Sequence, residues 1–172
     1  MTLLSIIAIV VALYVLIVFV VLRLIVPFMT LRGFAVPGEL PDEVSSTINN
    51  LEARANNERE YLKLVYEFVG SRWHAGRMET LWYAPLAFRK NIEDIWKHPG
   101  YAHCTTQNYL VFVLLVGSKF FSAHDIQLKT VFLNLFIHQY LEVKVGGQWT
   151  DVDPAGSSIR GMSLGDHISF FG

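Results

Sequence analysis

The chain has 172 residues, of which 52% are hydrophobic and 17% are charged. This composition is too apolar for a disordered protein, and the length allows one domain with an appendage. The formal net charge of −1 argues against nucleic acid as a partner, and the single cysteine excludes an intrachain disulfide and a zinc site built from several thiolates.

The first predicted element is an apolar helix at the N-terminus. Ser5 is the only polar residue between Leu3 and Leu22, and about 20 apolar residues in a helix measure about 30 Å, the thickness of a bilayer core. We predict a transmembrane anchor and juxtamembrane segment over residues 1–32, rather than the buried helix of a soluble protein. Because Arg23 and Arg32 follow the span, the positive-inside rule favours a single-pass membrane protein with a cytoplasmic C-terminal domain.

Residues 33–41 are rich in proline and glycine and are predicted to be a linker, so that residues 42–172 form one domain. Residues 42–72 have apolar side chains at helical spacing, with a break near residues 55–57. The spacing predicts a side that faces the core, with a dimer seam as the alternative; the oligomeric state stays open. This stripe consists of Ile48, Leu51, Ala55, Leu62, Val65 and Val69.

Two further helical segments follow. Residues 78–96 are rich in aromatic side chains and are predicted to be one helix plus a loop, ended by Pro99 and Gly100. Residues 104–116 are predicted to be a helix with Gly117 just past its end. Its later part is apolar on all sides, which predicts a central, buried helix.

The C-terminal third has the pattern of strands. Alternation predicts strands over residues 126–135, 137–145 and 148–152, and residues 168–171 are predicted to add a last short strand. Gly146-Gly147 between two of these runs indicates a two-residue hairpin, since such turns need positive φ. The predicted fold class is therefore α+β, with a transmembrane helix ahead of a domain whose buried helix packs on an antiparallel sheet.

The only thiol of the chain lies in the first turn of the predicted buried helix. Unpaired backbone N–H groups and the helix dipole at that position lower the pKa of a cysteine. Thr105, Thr106, Gln107 and Asn108 make the same turn polar, as the mouth of a cleft would be. Cys104 is therefore a candidate nucleophile, with a buried, inert cysteine as the alternative.

The hairpin supplies candidate partners for this thiol. If Gly146-Gly147 is the whole loop, Asp153 faces Tyr140, and His138 lies on the same face because side chains alternate along a strand. Asp151 would face Glu142, farther from the histidine. The register therefore favours Asp153 over Asp151 as the carboxylate that orients His138, and a slip of one residue would remove the argument.

The remaining histidines carry weaker signals. His103 beside the thiol is predicted to cap the helix or tune the thiol, but not to act as its base. His98, His103 and Cys104 match no common zinc spacing, and no phosphate-binding loop is present. We therefore predict neither a metal nor a cofactor. No partner is evident for His74, His124 or His167.

Three stretches of the sequence resemble the transglutaminase-like superfamily, which has a papain-like fold. They are residues 100–104 (GYAHC), residues 138–142 (HQYLE) and residues 146–154 (GGQWTDVDP). In that family the nucleophilic cysteine begins a helix, and two strands carrying a histidine and an aspartate follow.

The resemblance also extends to the neighbours of these residues. Tyr140 and Glu142 stand where the family has an aromatic residue and a glutamate after its histidine. The family's aspartate commonly lies four residues after a tryptophan, and Trp149 stands at that distance before Asp153. Thr105 departs from the family, which often has Trp, Gly or an acid there. The family often takes a second oxyanion donor from an upstream side chain; Trp73, Trp82 and Trp96 all lie upstream.

The resemblance implies a catalytic triad of Cys104, His138 and Asp153. Such a triad attacks an amide of a protein or peptide substrate and passes through a thioester, as a cysteine protease, amidase or transglutaminase. The predicted function is a membrane-anchored enzyme of this kind. The alternative is an inactive module of the same fold that serves as a membrane-tethered scaffold for a partner protein.

Overall fold

The computed structural model describes residues 2–17, 34–35, 37–76, 79–83, 85–86, 89, 91–133 and 136–169. The helices are α1 (Leu3–Leu16), α2 (Asp42–Arg54), α3 (Glu58–Arg72), α4 (Glu79–Tyr83), α5 (Ile92–Lys97), α6 (Cys104–Val116) and α7 (Pro154–Arg160). The strands are β1 (Trp73–His74), β2 (Gly100–Tyr101), β3 (Ile126–Leu133), β4 (Phe136–Val145) and β5 (Gln148–Val152).

The N-terminal helix corrects the first prediction. Helix α1 has 14 residues, which at about 1.5 Å per residue makes about 21 Å, short of the roughly 30 Å of a bilayer core. Within the described part of the chain, none of the helices combines the length and the apolar character needed to span a membrane. The predicted transmembrane anchor, the fold class that included it and the single-pass membrane location are therefore wrong. Residues 18–33, with Arg23 and Arg32, lie outside the described residues.

The helical pair α2 and α3 follows the sequence pattern. Ala55 is extended between the helices, and the Asn57 side chain caps α3 by accepting a hydrogen bond from the backbone N–H of Glu60. The stripe faces the core as predicted, with Ile48, Leu51, Leu62, Val65 and Val69 all buried. Helix α3 packs on α6, where the hydroxyl of Tyr61 donates to the carbonyl of Leu114 over 2.8 Å.

Helix α6 is the centre of the domain and has the predicted bounds. Every residue from Cys104 to Leu115 except Tyr109 is buried. Two buried amides in its first turns hold it in place: Gln107 Nε2 donates to the carbonyl of Ala102, and Asn108 Nδ2 donates to the carbonyl of Gln139 on β4. These bonds fix the start of the helix against the sheet, which is where the thiol lies.

The sheet has the order β3-β4-β5 and is antiparallel throughout, so the α+β part of the predicted fold is confirmed. Gly146 and Gly147 form the hairpin turn with φ of 58° and 84°, values that favour glycine. Val145 pairs with Gln148 and Leu141 with Val152. The predicted register of the hairpin is confirmed.

Four features differ from the sequence prediction. The described part of residues 79–97 contains two short helices rather than one, and helix α7, with Asp153 as its N-cap, was not predicted. Ile168 and Ser169 are not in a strand, because the Ile168 N–H donates to the side chain of Asp153 instead of to a sheet neighbour; residues 170–172 lie outside the described residues. The short parallel pair of β1 and β2 was not predicted and leads directly to Cys104.

Candidate active site

The thiol occupies the first position of α6. His103 precedes it as the extended N-cap residue, with φ −62° and ψ 155°, and its side chain does not cap the helix. The first N–H groups of a helix have no acceptor within the helix and carry its positive dipole end. Cys104 is only 8% exposed, so these donors and the sulfur lie in a desolvated position where charge effects are strong.

His138 and Asp153 form a buried pair next to this helix. His138 Nε2 donates to Asp153 Oδ2 over 2.7 Å, and the residues are 5% and 0% exposed. Strand β4 supplies the histidine and the end of β5 supplies the aspartate, as the confirmed register requires. Because Nε2 is engaged by the carboxylate, Nδ1 is the ring nitrogen left for the thiol.

The carboxylate of Asp153 is fixed by three donors. Its Oδ1 accepts from the backbone N–H of Gly156 over 2.8 Å, and its Oδ2 accepts from the N–H of Ile168 over 3.0 Å as well as from His138. Asp153 is thereby the N-cap of α7. A side chain at position 156 would bring its Cβ to 2.5 Å from Oδ2, so the glycine there makes room for the carboxylate.

The pKa values of the thiol and the imidazole move in opposite directions. Burial by itself would raise the pKa of Cys104, but the charge and hydrogen bond of His103 and the hydrogen bond and charge of His138 hold it well below its ordinary value. Burial by itself would lower the pKa of His138, but Asp153 and Cys104 raise it to about 10 by hydrogen bonds and charge. These directions are those of a thiolate–imidazolium pair.

The three residues singled out by sequence act on one another: Asp153 binds the His138 ring over 2.7 Å, and hydrogen bonding and charge between His138 and Cys104 shift the pKa values of both groups. Acyl transfer needs three groups in a row. They are a sulfur nucleophile, an imidazole base with one ring nitrogen toward the sulfur, and a carboxylate bound to the other ring nitrogen. The backbone N–H of Cys104 at the start of α6 is suited to bind an oxyanion, whereas the N–H groups of Thr106 and Gln107 donate to the carbonyl of His103.

A second imidazole also contacts the thiol. His103 Nδ1 lies 3.4 Å from Cys104 Sγ and 3.3 Å from Thr105 Oγ1. The sequence predicted that His103 would cap the helix or tune the thiol. The predicted capping is wrong, because its side chain makes no cap hydrogen bond, whereas the contact with sulfur and the effect on the pKa of the thiol are those of tuning.

A second His–Asp pair joins the same hairpin to the segment that follows α7. His167 Nδ1 donates to Asp151 Oδ2 over 2.7 Å, and the His167 ring stacks on Tyr140 with a centroid distance of 4.2 Å. No partner for His167 was evident from the sequence, since Asp151 lies sixteen positions earlier in the chain. One feature of the sequence could have pointed to this pair. Side chains alternate along β5, so Asp151 and Asp153 share one face of the sheet, and each carboxylate there needs its own hydrogen-bond donor.

The other sequence candidates are placed elsewhere. His74 pairs with Glu79 and His98 with Asp94 at the surface. Trp73 and Trp96 pack against each other in the core, and Trp82 is 75% exposed. Among the described residues, no group of three or more His, Cys, Asp or Glu side chains is arranged to hold a metal ion.

Comparisons of this chain with protein-family models, with curated proteins and with solved structures found no match. The resemblance to the transglutaminase-like superfamily therefore stays a prediction drawn from the residues themselves.

Proposed function

We propose that this chain is a thiol-dependent acyl-transfer enzyme that acts on an amide bond of a protein or peptide through Cys104, His138 and Asp153. The observation that carries the proposal is the buried pair of His138 and Asp153, 2.7 Å apart, next to the one thiol of the chain. A buried ionisable pair is costly to maintain, and perturbed groups of this kind concentrate at functional sites.

The first half of the reaction forms a thioester. His138 takes the proton of Cys104, and the thiolate adds to the carbonyl carbon of the substrate amide. The oxyanion that forms binds the backbone N–H of Cys104 at the start of α6. His138 then gives its proton to the amide nitrogen as the carbon–nitrogen bond breaks, and the amine leaves.

The second half releases the acyl group. His138 removes a proton from the incoming nucleophile, whose oxygen or nitrogen bonds to the acyl carbon, and the carbon–sulfur bond breaks to restore the thiolate. Water as the nucleophile gives hydrolysis by a protease or amidase, and a primary amine gives transamidation. Asp153 accepts the Nε2–H of His138 in both halves and so keeps Nδ1 directed at the sulfur.

Burst kinetics with p-nitrophenyl acetate test the proposal on the full chain. We expect a burst of one nitrophenolate per chain and one acetyl group on Cys104, which hydroxylamine removes as it does from a thioester. Replacement of the general base slows acylation by about 10²–10⁴-fold, so His138→Gln should lose the burst. His124→Gln is the matched control, since His124 is an exposed histidine of the same chain.

The contrary result is equally clear. Absence of an acetyl group on Cys104, or an equal burst in Cys104→Ala, overturns the proposal and leaves the inactive scaffold as the better description. If the burst is found, adding a fluorescent primary amine during turnover separates the two acceptors, because only transamidation attaches the amine to the acyl group.

A further inference from the structure

The residue just before the nucleophile has no task in the reaction described above. His103 Nδ1 nevertheless lies 3.4 Å from Cys104 Sγ, a distance within the range of hydrogen bonds to sulfur. The thiol thus has an imidazole from its own chain segment in addition to His138, which reaches it from β4.

The position of the His103 ring is fixed by its neighbour. The same Nδ1 lies 3.3 Å from the hydroxyl of Thr105, a residue only 4% exposed in the first turn of α6. The hydroxyl oxygen and the sulfur therefore share the single Nδ1–H of His103, which keeps the ring beside the thiol. His103 is the extended N-cap residue of α6, so its ring stands next to the turn that contains Cys104 and Thr105.

The two imidazoles differ in what they are bound to. His138 is oriented by Asp153, whose negative charge lies 2.7 Å from its ring, and this geometry suits a group that moves protons. His103 contacts the sulfur through the nitrogen that Thr105 holds, and this geometry suits a fixed cation.

We propose that His103 is a second catalytic imidazole, which holds Cys104 as a thiolate by its positive charge and Nδ1–H while His138 alone transfers protons. This inference rests on the proposed function. In each half of the reaction the proton goes between His138 and the sulfur, the leaving amine or the incoming nucleophile. His103 gains and loses none.

The charges that act on the thiol support this division. The groups that lower the pKa of Cys104 come from the segment before α6, which supplies His103, and from β4, which supplies His138; the charge of His103 is the largest of these effects. Asp153 stands behind His138 and acts on the thiol through it. A thiolate held by His103 persists even when His138 is neutral.

The rate of alkylation of the full chain by iodoacetamide as a function of pH tests the inference, because a single cysteine makes the product unambiguous. The wild type should titrate well below the ordinary value of about 8.5. An opposite charge at this range lowers a pKa by about 1–3 units. His103→Gln should therefore raise the pKa of the thiol and slow alkylation about tenfold or more when the two proteins are compared at a pH below the thiol pKa of the wild type. His103→Arg should restore most of the rate, and His138→Gln should keep part of the lowered pKa while losing turnover.

Thr105→Val provides a milder variant that leaves both imidazoles in place. It should raise the thiol pKa less than His103→Gln does. Thr106→Val is its matched control and should not move the pKa, because Thr106 is equally buried in the same turn while the hydroxyl that holds His103 belongs to Thr105.

The outcomes separate the two proposals. If His103→Gln and Thr105→Val both titrate as the wild type does, or if His138→Gln alone brings the thiol to its ordinary pKa, the role of His103 is overturned and the proposed function stands. If the wild-type thiol itself titrates near about 8.5, the proposed function fails first.

Discussion

Two His–Asp pairs take their aspartates from the end of one hairpin, and their hydrogen bonds have the same length of 2.7 Å. Asp151 lies on β5, and Asp153 directly follows the last residue of that strand. Because the two aspartates are two positions apart, they point to the same face of the sheet. In the pair of His138 and Asp153 the side chains are 6% and 0% exposed, whereas in the pair of His167 and Asp151 they are 27% and 24% exposed.

The surroundings make the difference. Asp153 also accepts two backbone N–H groups, and His138 faces the thiol with its other side. His167 instead stacks on Tyr140 and is followed by Ile168, whose N–H donates to Asp153. The comparison teaches that the length of a His–Asp hydrogen bond does not identify a catalytic pair; burial, the extra donors on the carboxylate and a nucleophile beside the ring do.

The largest contrast is expected from neutralising each aspartate. Asp153→Asn should reduce acylation of Cys104 by about 10³–10⁴-fold, the order found when the orienting carboxylate of a triad becomes an amide. It should also destabilise the fold by about 3 kcal/mol, because it leaves a buried imidazolium and two N–H groups without their charged partner. Burst kinetics and denaturant unfolding measure the two effects.

Asp151→Asn is the matched control, since it makes the same change two residues away. The pair of His167 and Asp151 is about a quarter exposed, and a solvent-accessible ion pair contributes about 1 kcal/mol or less, so we expect nearly normal acylation and a small loss of stability. Equal losses in the two variants would show that the pairs are equivalent and would contradict the comparison.

A smaller effect is expected from crowding the carboxylate. Gly156→Ala would bring a methyl group to 2.5 Å from Asp153 Oδ2 and force the carboxylate to move. A displacement of about 1 Å in such a site costs about 10²-fold in rate, which burst kinetics will detect. Gly70→Ala in α3 is the control, because nothing lies within 4 Å of its added Cβ. Normal acylation in Gly156→Ala would show that the exact place of Asp153 is unimportant.

The smallest effect is a change in how stability depends on pH. The raised pKa of His138 contributes stability that is full below its unfolded value of about 6.5 and is lost as the pH rises to about 10. The lowered pKa of Cys104 contributes stability that is full above the ordinary value of about 8.5 and is lost as the pH falls through the folded value. Between about pH 6.5 and about pH 8.5 the two effects on the slope of stability against pH cancel.

Removing one partner should uncover the slope of the other. In that range the unfolding free energy should fall with pH in Cys104→Ala and rise with pH in His138→Gln, by up to about 1.4 kcal/mol per pH unit relative to the wild type. Denaturant unfolding at several pH values measures both. Profiles parallel to that of the wild type would mean that the two groups do not share a proton.

The sequence predicted the parts of the site that depend on local pattern. Helix α6 has the predicted bounds because its apolar run and Gly117 define it locally, and the register of the hairpin follows from the two glycines. The proximity of His138 and Asp153 followed from that register alone, since side chains alternate along strands. The membrane span was wrong: the apolar run met the length rule, but the described helix α1 ends at Leu16.

The sequence by itself thus determined the α+β class of the domain, the buried helix that begins at the thiol, and the hairpin face that carries the histidine and the aspartate. Only the tertiary structure decided that Ile168 and Gly156 fix Asp153, that His167 holds Asp151, and that His103 turns toward the sulfur. The reason is physical. Periodicity and turn chemistry act over a few neighbouring residues, whereas donors for a buried carboxylate come from whichever segment the packing brings near.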